Sequence, residues 1–242
     1  MPGNFAQYSK ARQTMGIILL NTRAVDLMRR GNLQEAISNL RVALGELLGR
    51  VDPHEVIDPA NKVTSSFLSV RSVPLEESLS LVKFSSCQDH HAFSVFDRAL
   101  VIDDADLVAA SSSAGQDCTI TVVMYNMGLA HQLQGMQDLR SQQANFKKAL
   151  RCYQMATDVL EGCTGTEDQV SGLVYLAVSN NMGHIFSHLC DTKEAQHCLA
   201  WLFMILQAME IYDTGILGDE YRPFHLNVLI LHGQDAVAAA AA

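Results

Sequence analysis

Two histidines four residues apart, His184 and His188, are followed by Cys190 and then by His197 and Cys198. On a helix, residues at i and i+4 share one face, so both imidazoles could reach a zinc ion at about 2.0–2.1 Å. The hydrolytic version of such a site places a glutamate directly after the first histidine as general base, and Ile185 stands there instead. A structural site would need further ligands, and Cys190 belongs to a turn. No metal is therefore expected. The histidines are expected to line a groove or to bond locally, and the thiols to pack, with a zinc-dependent protein centred on His184 and His188 as the alternative.

Other constellations are weaker still. Cys87, Asp89, His90 and His91 lie together in one segment, but sequence neighbours rarely have the geometry of a nucleophile and its base, and the segment reads as a hairpin loop. Asp103, Asp104 and Asp106 lack the glycine and closing glutamate of a calcium loop. No phosphate-cradling glycine motif follows a strand, and Gly162-Cys-Thr-Gly-Thr reads as a helix end and a turn. The chain is accordingly expected to be no enzyme and to carry no cofactor.

Composition narrows the partners. Among 242 residues, 48% are hydrophobic, and 17 basic residues against 26 acidic ones leave a net charge of −9. That charge opposes attachment to nucleic acid or anionic lipid. Six cysteines without a C-x-x-C pair read as reduced thiols in a chain large enough to fold without staples. With no signal peptide and no apolar stretch of membrane-spanning length, a cytoplasmic or nuclear location is expected.

The elements that would position these groups repeat along the chain. Ala24 precedes Ala36 by twelve positions, in Leu20-x-x-Arg-Ala-x-x-Leu27 and Gly31-Asn-Leu-Gln-Glu-Ala36-x-x-x-Leu40. Gly183 precedes Ala195 by the same twelve, in Met182-Gly-x-x-Phe186 and Asp191-Thr-Lys-Glu-Ala195-x-x-x-Leu199. A middle copy, Tyr125-Asn-Met-Gly128-Leu-Ala-His131 with Ala149-Leu-x-x-Tyr153-x-x-Ala156, has a spacing of 21, so about nine extra residues must loop out or lengthen both helices. The first helix of this copy is expected to end near Gly135. Asn32 with Glu35, and Asp191 with Glu194, have the spacing of capping boxes at the start of second helices.

This pattern resembles the tetratricopeptide repeat, and the chain is similar to tetratricopeptide-like proteins of algal and diatom type. The resemblance implies a mainly α fold, a solenoid of three helix pairs, with small residues at 24, 128 and 183 letting the helices of each pair cross closely. It also implies a scaffold that binds a peptide or protein segment in a concave groove lined by the first helices. Carried over position by position, the groove is expected to present Asn21, Val25 and Met28, then Tyr125, Leu129 and Gln132, then Asn180, His184, Ser187 and His188. Family members that clamp a chaperone's terminal carboxylate carry Lys and Arg where this chain has Asn21, Val25, Asn126, Ala177 and Asn181, so that ligand is not expected. Self-association into a homo-oligomer is a further alternative.

The expected layout is a single domain, with helix pairs over 14–49, 117–162 and 168–212. Residues 50–116 lose the helical period and are expected to insert an antiparallel β element, about 66–73 with 93–102. Residues 213–235 are expected to form a strand or a capping segment, and 236–242 a frayed alanine tail. Either the insertion or the C-terminal segment could fill the groove.

Overall fold

Leu33, Ala36, Ile37, Leu40, Ala43 and Leu47 recur at steps of three and four, and all are buried on one face of a helix, α2, Leu33–Leu48. The same logic builds the other elements of this computed structural model, which describes residues 3–49, 69–75, 93–103, 112–162, 169–212 and 221–229. Helix α1 spans Gly3–Arg29, and strands β1 and β2 span Val70–Pro74 and Arg98–Ile102. Then come α3 (Ser113–Gln137), α4 (Gln142–Gly162), α5 (Gln169–His188), α6 (Thr192–Tyr212) and α7 (222–229). The fold is mainly helical with one small antiparallel sheet, in which Val70 pairs with Ile102 and Pro74 with Arg98.

Consecutive helices pack in pairs, α1 on α2, α3 on α4 and α5 on α6. The pairs also touch one another, α2 against α3 and α4 against α5, while β2 lies on α1 and α3. The core is thus shared by all of these elements, and Ala99, Leu100, Val101 and Ile102 of β2 sit inside it. Helix α6 keeps Trp201, Phe203 and Met204 exposed.

The turns of the first and last pairs are alike. Gly31 adopts a φ of 76° and Cys190 a φ of 57°, and each is followed by a residue whose N–H reaches back five positions, Asn32 to Leu27 and Asp191 to Phe186. These are left-handed helix ends of the Schellman type, natural for glycine and strained for cysteine. The capping boxes fare unevenly. Asp191 Oδ1 accepts from the Glu194 amide at 3.3 Å, but Asn32 makes no side-chain cap bond. Its ψ of 59° departs from the extended backbone a cap requires, and Glu35 is turned to Arg23 at 3.2 Å.

The extra residues of the middle pair lengthen both helices, which are joined by the short turn 138–141. Helix α3 passes the expected end at Gly135 because that glycine is a contact point. An added Cβ would lie 2.8 Å from Phe146 Cδ1 of α4. Gly128 likewise makes room for Tyr153 of α4, at 2.6 Å from its Cε1. Gly183 departs from expectation, since its space is filled by Phe93 of the insertion. The strand expected within 213–235 is replaced by helix α7, in which Phe224, Asn227 and Val228 form a buried i, i+3, i+4 face and Pro223 is tolerated in the first turn. The loop at 85–91 with Cys87 and its histidines, the rest of the acidic run beyond Asp103 and the alanine tail lie outside the described residues.

Candidate peptide-binding groove

A β-strand carries backbone donors and acceptors on two edges, and alternate residues serve opposite edges. In the extended segment 93–103 the odd residues serve β1. Leu75 N–H donates to the Asp97 carbonyl, and Asp103 N–H donates to the Ser69 carbonyl, both at 3.0 Å. The even residues face the helices, which have no spare backbone to offer. Asparagine side chains take the place of the missing strand.

Three asparagines each grip one residue twice, accepting from its N–H and donating to its carbonyl. Asn126 holds Leu100 at 2.9 and 2.7 Å, Asn181 holds Phe96 at 2.9 and 3.1 Å, and Asn227 holds Ser94 at 3.2 and 3.1 Å. Asn180 adds a bond to the Ser94 carbonyl at 2.8 Å, and Tyr125 donates its hydroxyl to the Arg98 carbonyl at 2.9 Å. Asn21 of α1 donates to the Leu100 carbonyl at 3.0 Å and accepts from Asn126 at 2.8 Å. A primary amide presents the same donor and acceptor as a peptide group, which is why asparagine can complete the ladder.

The grip follows the helix register. Tyr125 and Asn126 stand three and two positions before Gly128, as Asn180 and Asn181 do before Gly183. The first couple holds residues 98 and 100, the second 94 and 96. One helix pair therefore corresponds to four residues of strand, about 13 Å of extended chain.

A second polar chain runs behind the asparagines. Asn181 Nδ2 donates to the Tyr153 hydroxyl at 3.4 Å, Tyr153 donates to Gln132 Oε1 at 2.7 Å, and Gln132 Nε2 lies 3.1 Å from His184 Nδ1. Since the phenol occupies Oε1, Gln132 must donate from Nε2, which leaves His184 Nδ1 as acceptor and its proton on Nε2. Burial, with His188 adding to it, lowers the His184 pKa to about 3. Burial also pushes the Tyr125 and Tyr153 phenols well up, so both remain donors. The His184 and His188 rings are 4.6 Å apart. Among the described residues no three histidine, cysteine or carboxylate groups converge as metal ligands. Burial raises the Cys152 thiol to about 11 and Cys198 to about 12; Cys118 is half-buried and Cys190 exposed, all four unbridged.

Of the two expectations, a groove open to a partner and one filled by the insertion or the C-terminal segment, the burial of the residues expected to line it fits the second. Asn21, Val25, Met28, Tyr125, Leu129, Gln132, Asn180 and His184 are buried, Ser187 is half-buried, and only His188 is exposed. The cause is the insertion, whose segment 93–103 lies against α1, α3 and α5 and covers these side chains. Asn21, Tyr125 and Asn180 hold that segment directly, Gln132 and His184 support it from behind, and the apolar three pack in the core. The groove residues expected from the sequence do not include Asn126, Asn181, Asn227 or Tyr153. The signal was the recurrence of asparagine two positions before both glycines.

The chain matches no protein-family model, no curated protein sequence and no solved structure. No helix among the described residues is long and apolar enough to cross a membrane.

Two predictions follow from the bonding. Asn181→Ala leaves the N–H and C=O of Phe96 unpaired, and Asn126→Ala leaves the Leu100 N–H and Asn21 Oδ1 unpaired while Leu100 keeps its bond from Asn21. At about 1–3 kcal/mol per buried orphan, urea denaturation should show both variants destabilised by a comparable amount of about 2–6 kcal/mol, and a negligible loss in either would contradict the assigned pairing. The pH dependence is also determined. Folded His184 refuses a proton that the unfolded chain accepts near a pKa of about 6.5, so its contribution is neutral above that pH. Below it, stability falls by up to about 1.4 kcal/mol per pH unit until the folded pKa is reached. His131, whose pKa burial lowers to about 4, adds a decline of the same sign, so His184→Gln should reduce but not abolish the fall of the urea midpoint between pH 7 and 5, and an unchanged slope would refute the buried neutral state.

Proposed function

We propose that the chain is a protein-interaction scaffold of tetratricopeptide type, with three helix pairs stacked as a short solenoid. Helices α1, α3 and α5 line a cradle that holds one extended polypeptide segment by its backbone. In the free chain the occupant is the chain's own segment 93–103, and the partner is a segment of another polypeptide that replaces it. The observation that supports this reading is the asparagine row on alternate residues of that segment. Amides that pair with backbone N–H and C=O recognise extended main chain independently of its side chains, as strand-addition modes do. The groups lining the cradle are amides and phenols that keep their protons, which suits holding rather than catalysis.

A tethered occupant competes at an effective concentration in the millimolar range, so an outside segment binds well only when the resident is loosened. Phe96→Ala does this without altering an asparagine, because it removes the ring packed against Phe224. A fluorescein-labelled peptide with the sequence of residues 93–103 should bind the full-length Phe96→Ala chain one-to-one in anisotropy titrations. Adding Asn181→Ala should weaken that binding by about tenfold or more, the cost of leaving buried peptide groups unpaired. No binding to the Phe96→Ala chain would overturn the reading.

A further inference from the structure

The resident segment also records which side chains the cradle accepts. Phe93 lies over Gly183, where an added Cβ would stand 2.6 Å from the ring's Cζ and 2.8 Å from Cε1 and Cε2. The missing side chain at 183 is what admits an aromatic ring. Phe96 is fully buried and tilted against Phe224, with ring centroids 4.5 Å apart. Ala99 is fully buried, and Leu100, Val101 and Ile102 follow it into the core. Between them Ser94 is exposed, and Val95, Asp97 and Arg98 are half-buried.

The buried positions thus run aromatic at 93, aromatic at 96, small at 99 and aliphatic at 100–102, with exposed or half-buried residues at the two positions between each of the first three. The backbone grip alone cannot impose this order, since amides read every extended chain alike. The other route for a partner strand, extension of the sheet beyond β1, is obstructed. On that outer edge Pro74 has no N–H to give, and the Ser72 carbonyl already accepts from the Arg98 guanidinium at 3.3 Å. A partner strand therefore enters by replacing the resident in the cradle.

We infer that the cradle selects its partner by side-chain pattern: an extended segment with aromatic residues at its first and fourth positions, a small residue at the seventh and aliphatic residues from the eighth to the tenth. Gly183 and Phe224 are the residues that read the two rings. This rests on the proposed replacement of the resident strand, and adds to it a specificity that backbone pairing does not supply.

The test uses the full-length Phe96→Ala chain and four labelled peptides spanning residues 93–103: the resident sequence, and the same sequence with Phe93→Ala, Phe96→Ala or Ala99→Leu. The resident peptide should bind most tightly. Each altered peptide should lose about tenfold to a hundredfold, the cost of an unburied ring or an overfilled site. In a chain that also carries Gly183→Ala, the resident peptide should lose its advantage over the Phe93→Ala peptide. Equal affinities throughout would leave the backbone cradle standing and overturn the pattern, and failure of all four to bind would overturn both. If the Phe96→Ala chain does not fold, the Phe93→Ala chain serves as the loosened host with the same outcomes.

Discussion

An extended strand in a protein interior must have both of its edges hydrogen-bonded, and among the described residues β2 has a partner strand on only one. The rest of the molecule is arranged around that deficit. Every peptide group left unpaired would cost about 1–3 kcal/mol, out of a total stability of about 5–15 kcal/mol for a typical domain. Helix backbones are fully used, so the second edge can be served only by side chains. Asparagine is a poor helix former, worth roughly 0.7 kcal/mol less than alanine. That local penalty is small beside the two backbone groups each of Asn126, Asn181 and Asn227 satisfies.

The row is stiffened from behind. Tyr153 bonds both Asn181 and Gln132, and the room for its ring comes from Gly128. The polar chain then ends on a neutral His184. A fully satisfied network of this kind limits each amide to one orientation, and a fixed orientation is what two-point pairing with a peptide group needs. The glycines therefore serve different ends. Gly128 and Gly135 let α4 approach α3, and Gly183 admits a ring from the strand itself.

Much of the fold is legible in the letters. The apolar periods of α2 and the capping aspartate at 191 mark helices where they occur, and the apolar run 99–102, closing on β-branched Val101 and Ile102, marks a strand. The helical 222–229 segment misleads because its apolar residues, interrupted by His225 and Asn227, fit a strand as well as a helix, and only the buried face of Phe224, Asn227 and Val228 decides. The site was half legible. Asn21, Tyr125 and Asn180, selected by helix register, are among the residues that bond the segment 94–100. That register could not reveal the occupant, because pairing between Asn181 and Phe96, 85 residues apart, is non-local. Nor does period alone separate a side chain that lines an open surface from one that holds an internal strand.

The central claim is that side-chain amides, rather than a second strand, hold the helix-facing edge of the extended segment 93–103 that includes β2. Residue-resolved amide hydrogen exchange of the intact chain tests it most directly. Phe96 and Leu100 should exchange as slowly as the buried helix amides, and Asn181→Ala should release Phe96 while Leu100 stays protected. Rapid exchange at both residues in the unaltered chain would contradict the claim.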